Sequence, residues 1–245
     1  MRRKVEPLLC ELHAHTRWSD GALTLPELVD LYGTNGFDVL AVTDHDVRRD
    51  SPWPAPDGLP YGVQAGSHAD YVAEIAAQAE RARRDYDLLV LPGLELTYDD
   101  SDPLQSAHAV AVGVRDFVGL DDGIEAALVR AREAGAALVA AHPYLEVPGE
   151  RPPARPTQRF SRDWQELGRL VDRWELFNRR ELFAWVAEQG LPAVASGDFH
   201  EPAHLFGWKT LLPCAKREDA VVDYLRSARP AFLTRIDEVP LLRAA

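Results

Sequence analysis

The stretch VLAVTDHD, residues 39–46, is an apolar run that stops at Asp44, His45 and Asp46. A short, continuous apolar run suits a strand buried on both faces, as in a parallel sheet covered by helices. Its polar end puts one imidazole and two carboxylates at the C-terminal edge of that strand. The pattern recurs along the chain. LLCELH (8–13), LLVLPGLEL (88–96), AHAVAVGV (107–114), ALVAAH (137–142), RWELFN (173–178) and PAVASGD (192–198) also read as strands. Helical patterns fall between them near 25–34, 68–86, 123–134, 180–189 and 216–228. Thr24 and Glu27 have the spacing of a capping box with Pro26 early in the helix, and Ser67 opens the next helix similarly. This alternation predicts an α/β fold, and about seven strand–helix units suit a barrel better than a doubly wound sheet. Residues 47–66 and 146–162 are expected to be loops, and the chain, residues 1–245, a single domain.

Composition narrows the function. The apolar fraction of 46% is that of a globular protein. No apolar run approaches the roughly 20 residues of a membrane span, so no membrane partner is expected. The start, MRRKVEPLL, lacks the apolar segment of a signal peptide. Cys10 and Cys214 form no CxxC pair, which suggests a reducing, cytoplasmic setting. A net charge of −12 argues against an extended nucleic-acid surface. It leaves room for a small phosphorylated substrate, because bound metal ions reverse the local sign of a site.

Chemistry-bearing residues gather at the strand ends. In ELHAHTRWSDGA, residues 11–22, His13 and His15 project from one face of a strand and Asp20 follows in the loop. An isolated HxH is more often a solvated strand end, so the remainder of the chain must supply further ligands. It offers His45 after the second strand, Glu95 near the end of the third, His142 after the fifth, and Asp198 with His200 after the last. His108 lies at the beginning of its apolar run, where an imidazole hydrogen-bonded in the core is the competing reading. In α/β barrels the C-terminal strand ends converge on the active site, and imidazoles with carboxylates there are ligands for divalent transition metals. His68 and His204 fit an ordinary packing role and are left out.

The ordered set HAHTRWSDG, VTDHD, GLEL, the histidine of QSAHAVAVGV, AHPY and SGDFH resembles the motifs of the PHP (polymerase and histidinol phosphatase) superfamily, over residues 11 to about 200. The resemblance implies a distorted (β/α)7 TIM-like barrel with a trinuclear metal centre. One ion would bind His13, His15, Glu95 and Asp198; a second Glu95, His108 and His142; a third Asp20, His45 and His200. Asp44 would orient a ligand imidazole, and is grouped with Glu95 and Asp198 as a catalytic carboxylate. Two to three divalent ions are expected. Nitrogen and oxygen ligands without cysteine suit Mn²⁺, Fe²⁺ or Zn²⁺. The expected activity is hydrolysis of a small phosphate ester, such as a nucleotide or short oligoribonucleotide, by a metal-activated water. Histidinol-phosphate hydrolysis and a non-catalytic metal-binding module are the alternatives. His108 and His142 stand only 34 positions apart, too close for the domain that nucleotide-hydrolysing members often insert there. Trp53 and Tyr61 are placed either to stack on a base or to pack on the barrel. Arg17, Arg48, Asn178, Arg179 and Lys209 are the candidate substrate contacts, with Arg49, Arg180 and the arginines of RPPARPTQRFSR, residues 151–162, beside them.

Overall fold

The computed structural model describes residues 6–52, 61–149, 152–153 and 156–237. The strands are β1 (Leu8–Glu11), β2 (Val39–Val42), β3 (His45–Val47), β4 (Leu89–Tyr98), β5 (Ala107–Val112), β6 (Ala137–Ala141), β7 (Arg173–Asn178), β8 (Glu181–Leu182), β9 (Ala193–Ser196), β10 (Gly207–Leu212) and β11 (Phe232–Ile236). The helices are α1 (Leu25–Thr34), α2 (His68–Tyr86), α3 (Ile124–Glu133), α4 (Arg159–Arg162), α5 (Trp164–Leu167), α6 (Ala184–Glu188) and α7 (Glu218–Arg226). At α1 the Thr24 amide donates to Glu27 at 2.8 Å, completing that half of the anticipated capping box. Ser67 does not cap α2; its hydroxyl bonds to Gln64 instead.

The sheet runs β11-β10-β1-β2-β4-β5-β6-β7-β8, with β3 attached to β4 and β9 to β7. This corrects the expected (β/α)7 barrel: the fold is mixed α/β, and among the described residues its 11-stranded sheet is curled but open. The segments that follow β1 and β9 meet at one isolated bridge, Ala14 with Phe199, where the His15 amide donates to Phe199 O at 2.9 Å. The sheet is also not parallel throughout. β5 runs antiparallel to both β4 and β6. Residues 99–106, which join β4 to β5, are too few for the crossover of a dozen or more residues that a parallel neighbour requires. Reversal brings the start of β5 to the end of the sheet where its parallel neighbours finish. His108 therefore sits opposite Thr97 on β4 and Ala141 on β6, directly beside His142.

Alternation along the strands builds two apolar layers. Leu40, Val42, Leu94, Leu96 and Leu138 face outward and pack with helix residues such as Leu28, Tyr32, Ile75 and Leu128. Leu12, Ala41, Leu91, Val110, Val139 and Val194 cluster inside the curl. Small Ala and Val side chains dominate that inner set because the curl leaves little radius. No helix among the described residues is long and apolar enough to cross a membrane.

One charged pair lies below the rim. Lys209 of β10 and Glu11 of β1 are both fully buried, with Nζ 2.9 Å from Oε2. Glu11 also accepts from Tyr32 Oη and from the amides of Leu12, His13 and Gly197. The carboxylate thus ties β1 to the turn after β9. Removing one member of a buried pair strands the other, at a cost of about 3–5 kcal/mol. Lys209→Met is expected to lower the free energy of unfolding by about that amount in a urea titration; a midpoint and slope equal to those of the parent chain would show the pair contributes nothing.

Candidate metal centre

The strand ends bring six imidazoles and three carboxylates into adjoining groups. Glu95 and His108 lie on the inward face of β4 and β5, and His45 opens β3 opposite Glu95; His13, His15, Asp20, His142, Asp198 and His200 come from segments that leave the strand ends. In the first group, His13 Nε2 lies 3.5 Å from both Glu95 Oε2 and Asp198 Oδ1, and His15 Nε2 lies 3.4 Å from the same two oxygens. A tetrahedron with metal–ligand bonds of about 2.1 Å has edges of roughly 3.4 Å, so this is the spacing of a ligand shell. In the second, Glu95 Oε1 stands 3.1 Å from His108 Nδ1 and 3.1 Å from His142 Nε2. In the third, Asp20 Oδ1 stands 3.3 Å from His45 Nε2 and 3.1 Å from His200 Nε2.

Two further observations fit a divalent cation. His13 Nε2, His15 Nε2 and Glu95 Oε2 are buried without a hydrogen-bond partner, and each such group costs about 1–3 kcal/mol unless something answers it. His45 Nδ1 comes within 2.7 Å of Glu95 Oε2, but Thr97 Oγ1 at 2.7 Å is the better-aligned partner for that nitrogen. The far nitrogen of every imidazole is also occupied. His13 Nδ1 meets Glu175 at 3.0 Å, His108 Nε2 meets Asp99 at 3.0 Å, and His142 Nδ1 meets Thr157 Oγ1 at 3.3 Å. His15 Nδ1 is 3.4 Å from Ser19 Oγ and His200 Nδ1 3.0 Å from Asp198 O. Metal-binding histidines are oriented in this way, one nitrogen held so that the other presents its lone pair. Residues of these three groups would hold the ions.

Burial and mutual charge set the protonation of the cluster. Burial works to raise Glu95, but the imidazoles of His45, His13 and His108 outweigh it and hold the carboxyl well below its usual range. Asp198 follows the same balance, with His13, His15 and His200 overcoming burial. Burial, reinforced by His45 and His200, pushes His15 down to about 3, leaving a neutral ring. Burial lowers His108 too, yet Asp99 and Glu95 win and take it up to about 9. Three non-glycine residues at the rim, His142 (φ 28°), Arg179 (φ 53°) and Asp198 (φ 41°), occupy the left-handed region, where backbone strain typically marks a functional site.

The remaining candidates divide. Asn178 and Arg179 line a cavity of about 150 Å³ with His142, Tyr144, Thr157 and Asp198. Arg179 Nη2 donates to Asp198 O at 2.9 Å and Oδ2 at 3.1 Å. Three other expected substrate contacts are not among the residues that line this cavity. Lys209 is enclosed against Glu11 and does not reach the cavity. Arg17 donates to Ala22 O and borders a separate surface groove with Trp18 and Glu74. Arg48 stacks 4.6 Å over the Tyr98 ring and pairs with Asp50. Asp44 accepts from the Thr16 amide and from the hydroxyls of Thr16 and Ser19, so it braces the loop and reaches the His15 ring through Ser19. Arg49 pairs with Asp121. Arg159 and Arg162, in α4 rather than a loop, pair with Glu125 and Asp163. Trp53, Arg151 and Arg155 lie outside the described residues, whereas Tyr61 stands edge-on to His45 at 5.0 Å. His204, set aside on sequence, accepts the His200 amide at 3.0 Å. Glu175 and Asp99 escaped the sequence reading. The only local signal was an acid within an otherwise apolar strand, RWELFN, and an acid just past another, in LELTYDD.

No protein-family model and no curated protein matches the sequence. Solved structures do. A two-domain protein from Bacteroides vulgatus, described as containing a predicted PHP-like metal-dependent phosphoesterase, superposes with a TM-score of 0.67 at 18% identity, covering 93% of this chain. The fold is PHP-like. The chain spans 64% of that two-domain protein. A putative metal-dependent phosphoesterase from Bifidobacterium adolescentis aligns over 79% of this chain and 88% of its own at 16% identity, TM-score 0.49. An amidohydrolase from Chromobacterium violaceum aligns over 78% and 87% at 18% identity, TM-score 0.49.

Within this PHP-like fold, Glu95 faces two donor groups and His68 none. Glu95→Gln is expected to remove about two ions per chain from the purified, metal-reconstituted protein, read by elemental analysis, while His68→Ala retains the parent content. Full loading of Glu95→Gln would show that the carboxylate bridges nothing.

Proposed function

We propose that the chain is a metal-dependent hydrolase of small phosphate esters. The observation that carries this reading is the adjacency of three donor groups, linked through His15 and Glu95, next to a cavity that Arg179 borders. The PHP-like fold supports it, as does the description of the Bacteroides vulgatus protein. Two to three divalent ions, Mn²⁺, Fe²⁺ or Zn²⁺, fit a set of imidazoles and carboxylates without cysteine. The reading takes residues 1–245 as one domain acting in the cytoplasm on a small substrate such as a nucleotide, with no extended nucleic-acid surface and no membrane. Two unpaired, buried cysteines suit such a reducing compartment.

When bound, the ions supply Lewis acidity, which draws charge from phosphoryl oxygens and makes water nucleophilic at neutral pH. The chain's own residues do the rest. Glu95 and Asp198 hold their negative charge at the centre of the cluster and set where positive charge collects. The Arg179 guanidinium, half-exposed at the cavity and clamped by Asp198, presents donors for a phosphate oxygen. Asn178, with its amide nitrogen fixed on Glu175, holds its end of the cavity wall. Water oxygen bonds to phosphorus, the ester P–O bond breaks, and the proton lost by water is returned to the departing alkoxide. No protein nucleophile takes part.

The test is elemental analysis of the purified protein with a substrate panel of nucleoside monophosphates, bisphosphates, short RNA, histidinol phosphate and amides. Bound metal with turnover of a phosphate ester supports the reading. Amide turnover alone would move the enzyme to another class, and metal without any turnover would leave a non-catalytic module. A charge-assisted hydrogen bond contributes about 1.5–3 kcal/mol, so Arg179→Ala is expected to reduce kcat/KM for the phosphate ester roughly ten- to a hundredfold. An unchanged value would remove Arg179 from substrate binding.

A further inference from the structure

Glu175 lies midway along β7, fully buried, and is not among the groups facing the three clusters. Both its oxygens are nevertheless occupied by the site. Oε1 takes His13 Nδ1 at 3.0 Å and the Ser196 hydroxyl. Oε2 accepts the His142 amide at 2.7 Å and Asn178 Nδ2 at 2.9 Å. The positions follow from the sheet. β7 is hydrogen-bonded to β6, whose last residue, Ala141, precedes His142, and to β9, which ends at Ser196. His13 reaches across the mouth of the curl to the same carboxylate.

The two histidines belong to different groups. His13 presents Nε2 to Glu95 Oε2 and Asp198 Oδ1, while His142 presents Nε2 to Glu95 Oε1. Their rings lie nearly parallel with centroids 5.9 Å apart. Glu175 acts on them by different means. At His13 it accepts the Nδ1 proton, which leaves the Nε2 lone pair free to face the first group. At His142 it holds the amide of a residue whose φ of 28° is strained, and so fixes where that ring starts. One carboxylate oriented by four donors does both.

We infer that Glu175 is the positioning residue that couples two of the three metal sites, holding His13 for one and His142 for the other on either side of Glu95. This rests on the metal-centre reading above. The carboxylate charge is essential to it. A glutamine here must turn its NH₂ either toward His13 and Ser196 or toward Asn178 and the His142 amide, and the backbone amide can only donate. Loss of such an outer partner typically costs 10- to 100-fold in metal affinity. The third group, Asp20, His45 and His200, makes no contact with Glu175, so its affinity stays at the parent value.

The experiment is stepwise Zn²⁺ titration of metal-free full-length protein by calorimetry, with elemental analysis after gel filtration, for the parent, Glu175→Gln and Asp99→Asn. Glu175→Gln is expected to weaken two binding steps by roughly 10- to 100-fold and leave one unchanged. Asp99→Asn, which changes the carboxylate held against His108 Nε2, is expected to weaken a single step. Uniform weakening of every step by Glu175→Gln would mean a general structural role and overturn the inference. Parent-like titration of Glu175→Gln would overturn it as well. A parent protein that takes up no Zn²⁺ would overturn the metal centre itself, and the inference with it. Should Glu175→Gln fail to fold, histidine ¹⁵N spectra of the Zn²⁺-loaded parent decide: a proton on His13 Nδ1 is expected, and a proton on Nε2 would overturn the inference.

Discussion

A carboxylate enclosed among five imidazoles governs this site. Glu95 is 1% exposed, and nitrogens of His13, His15, His45, His108 and His142 all lie within 3.5 Å of its oxygens. An ion taken out of water at that depth needs charge and hydrogen bonds in return. Five rings from four different segments can converge on it only if the sheet curls and the strand ends share one rim. The open curl, the reversed β5 and the single bridge from Ala14 to Phe199 are what that convergence demands of the backbone.

Around this centre lies a second layer of acids. Glu175 and Asp99 touch the far nitrogens of His13 and His108, while Asp44 secures the loop through Thr16 and Ser19. On the proposed reading, three divalent ions set against Asp20, Glu95 and Asp198 alone would leave a strongly positive pocket. The outer carboxylates offset part of that excess at slightly greater distance. On the same reading, affinity for a phosphate would depend less on bulk positive charge and more on directed donors such as Arg179. Below this layer the Glu11–Lys209 pair joins β1 to β10 and to the turn before Asp198. A cross-strand ion pair in the dry interior thus supports the backbone from which His13 and Asp198 project.

Much of the site was legible in the chain, for a local reason. Strand ends are announced by where an apolar run stops, and His13, His15, His45, His142, Asp198 and His200 follow such stops directly. His108 looked misplaced because its position was judged as though every strand ran the same way. Lys209 looked available because GWKTLL did not read as a strand. Its lysine and threonine break the apolar run, and their partners, Glu11 and the backbone of Ala195, lie on other strands. Glu175 and Asp99 were silent because an acid within or just after a strand has the same local sequence whether it meets water or an imidazole.

The sequence by itself determined the donor inventory, the strand–helix alternation and the end of each strand at which most donors sit, since these depend on residue type and short-range periodicity. Only the tertiary structure decided the direction of β5, the openness of the sheet, the burial of Lys209 and the service of Glu175 to two donor groups. Each of those depends on which distant strand lies alongside. That choice is made by packing the whole chain and leaves no mark within a window of a few residues.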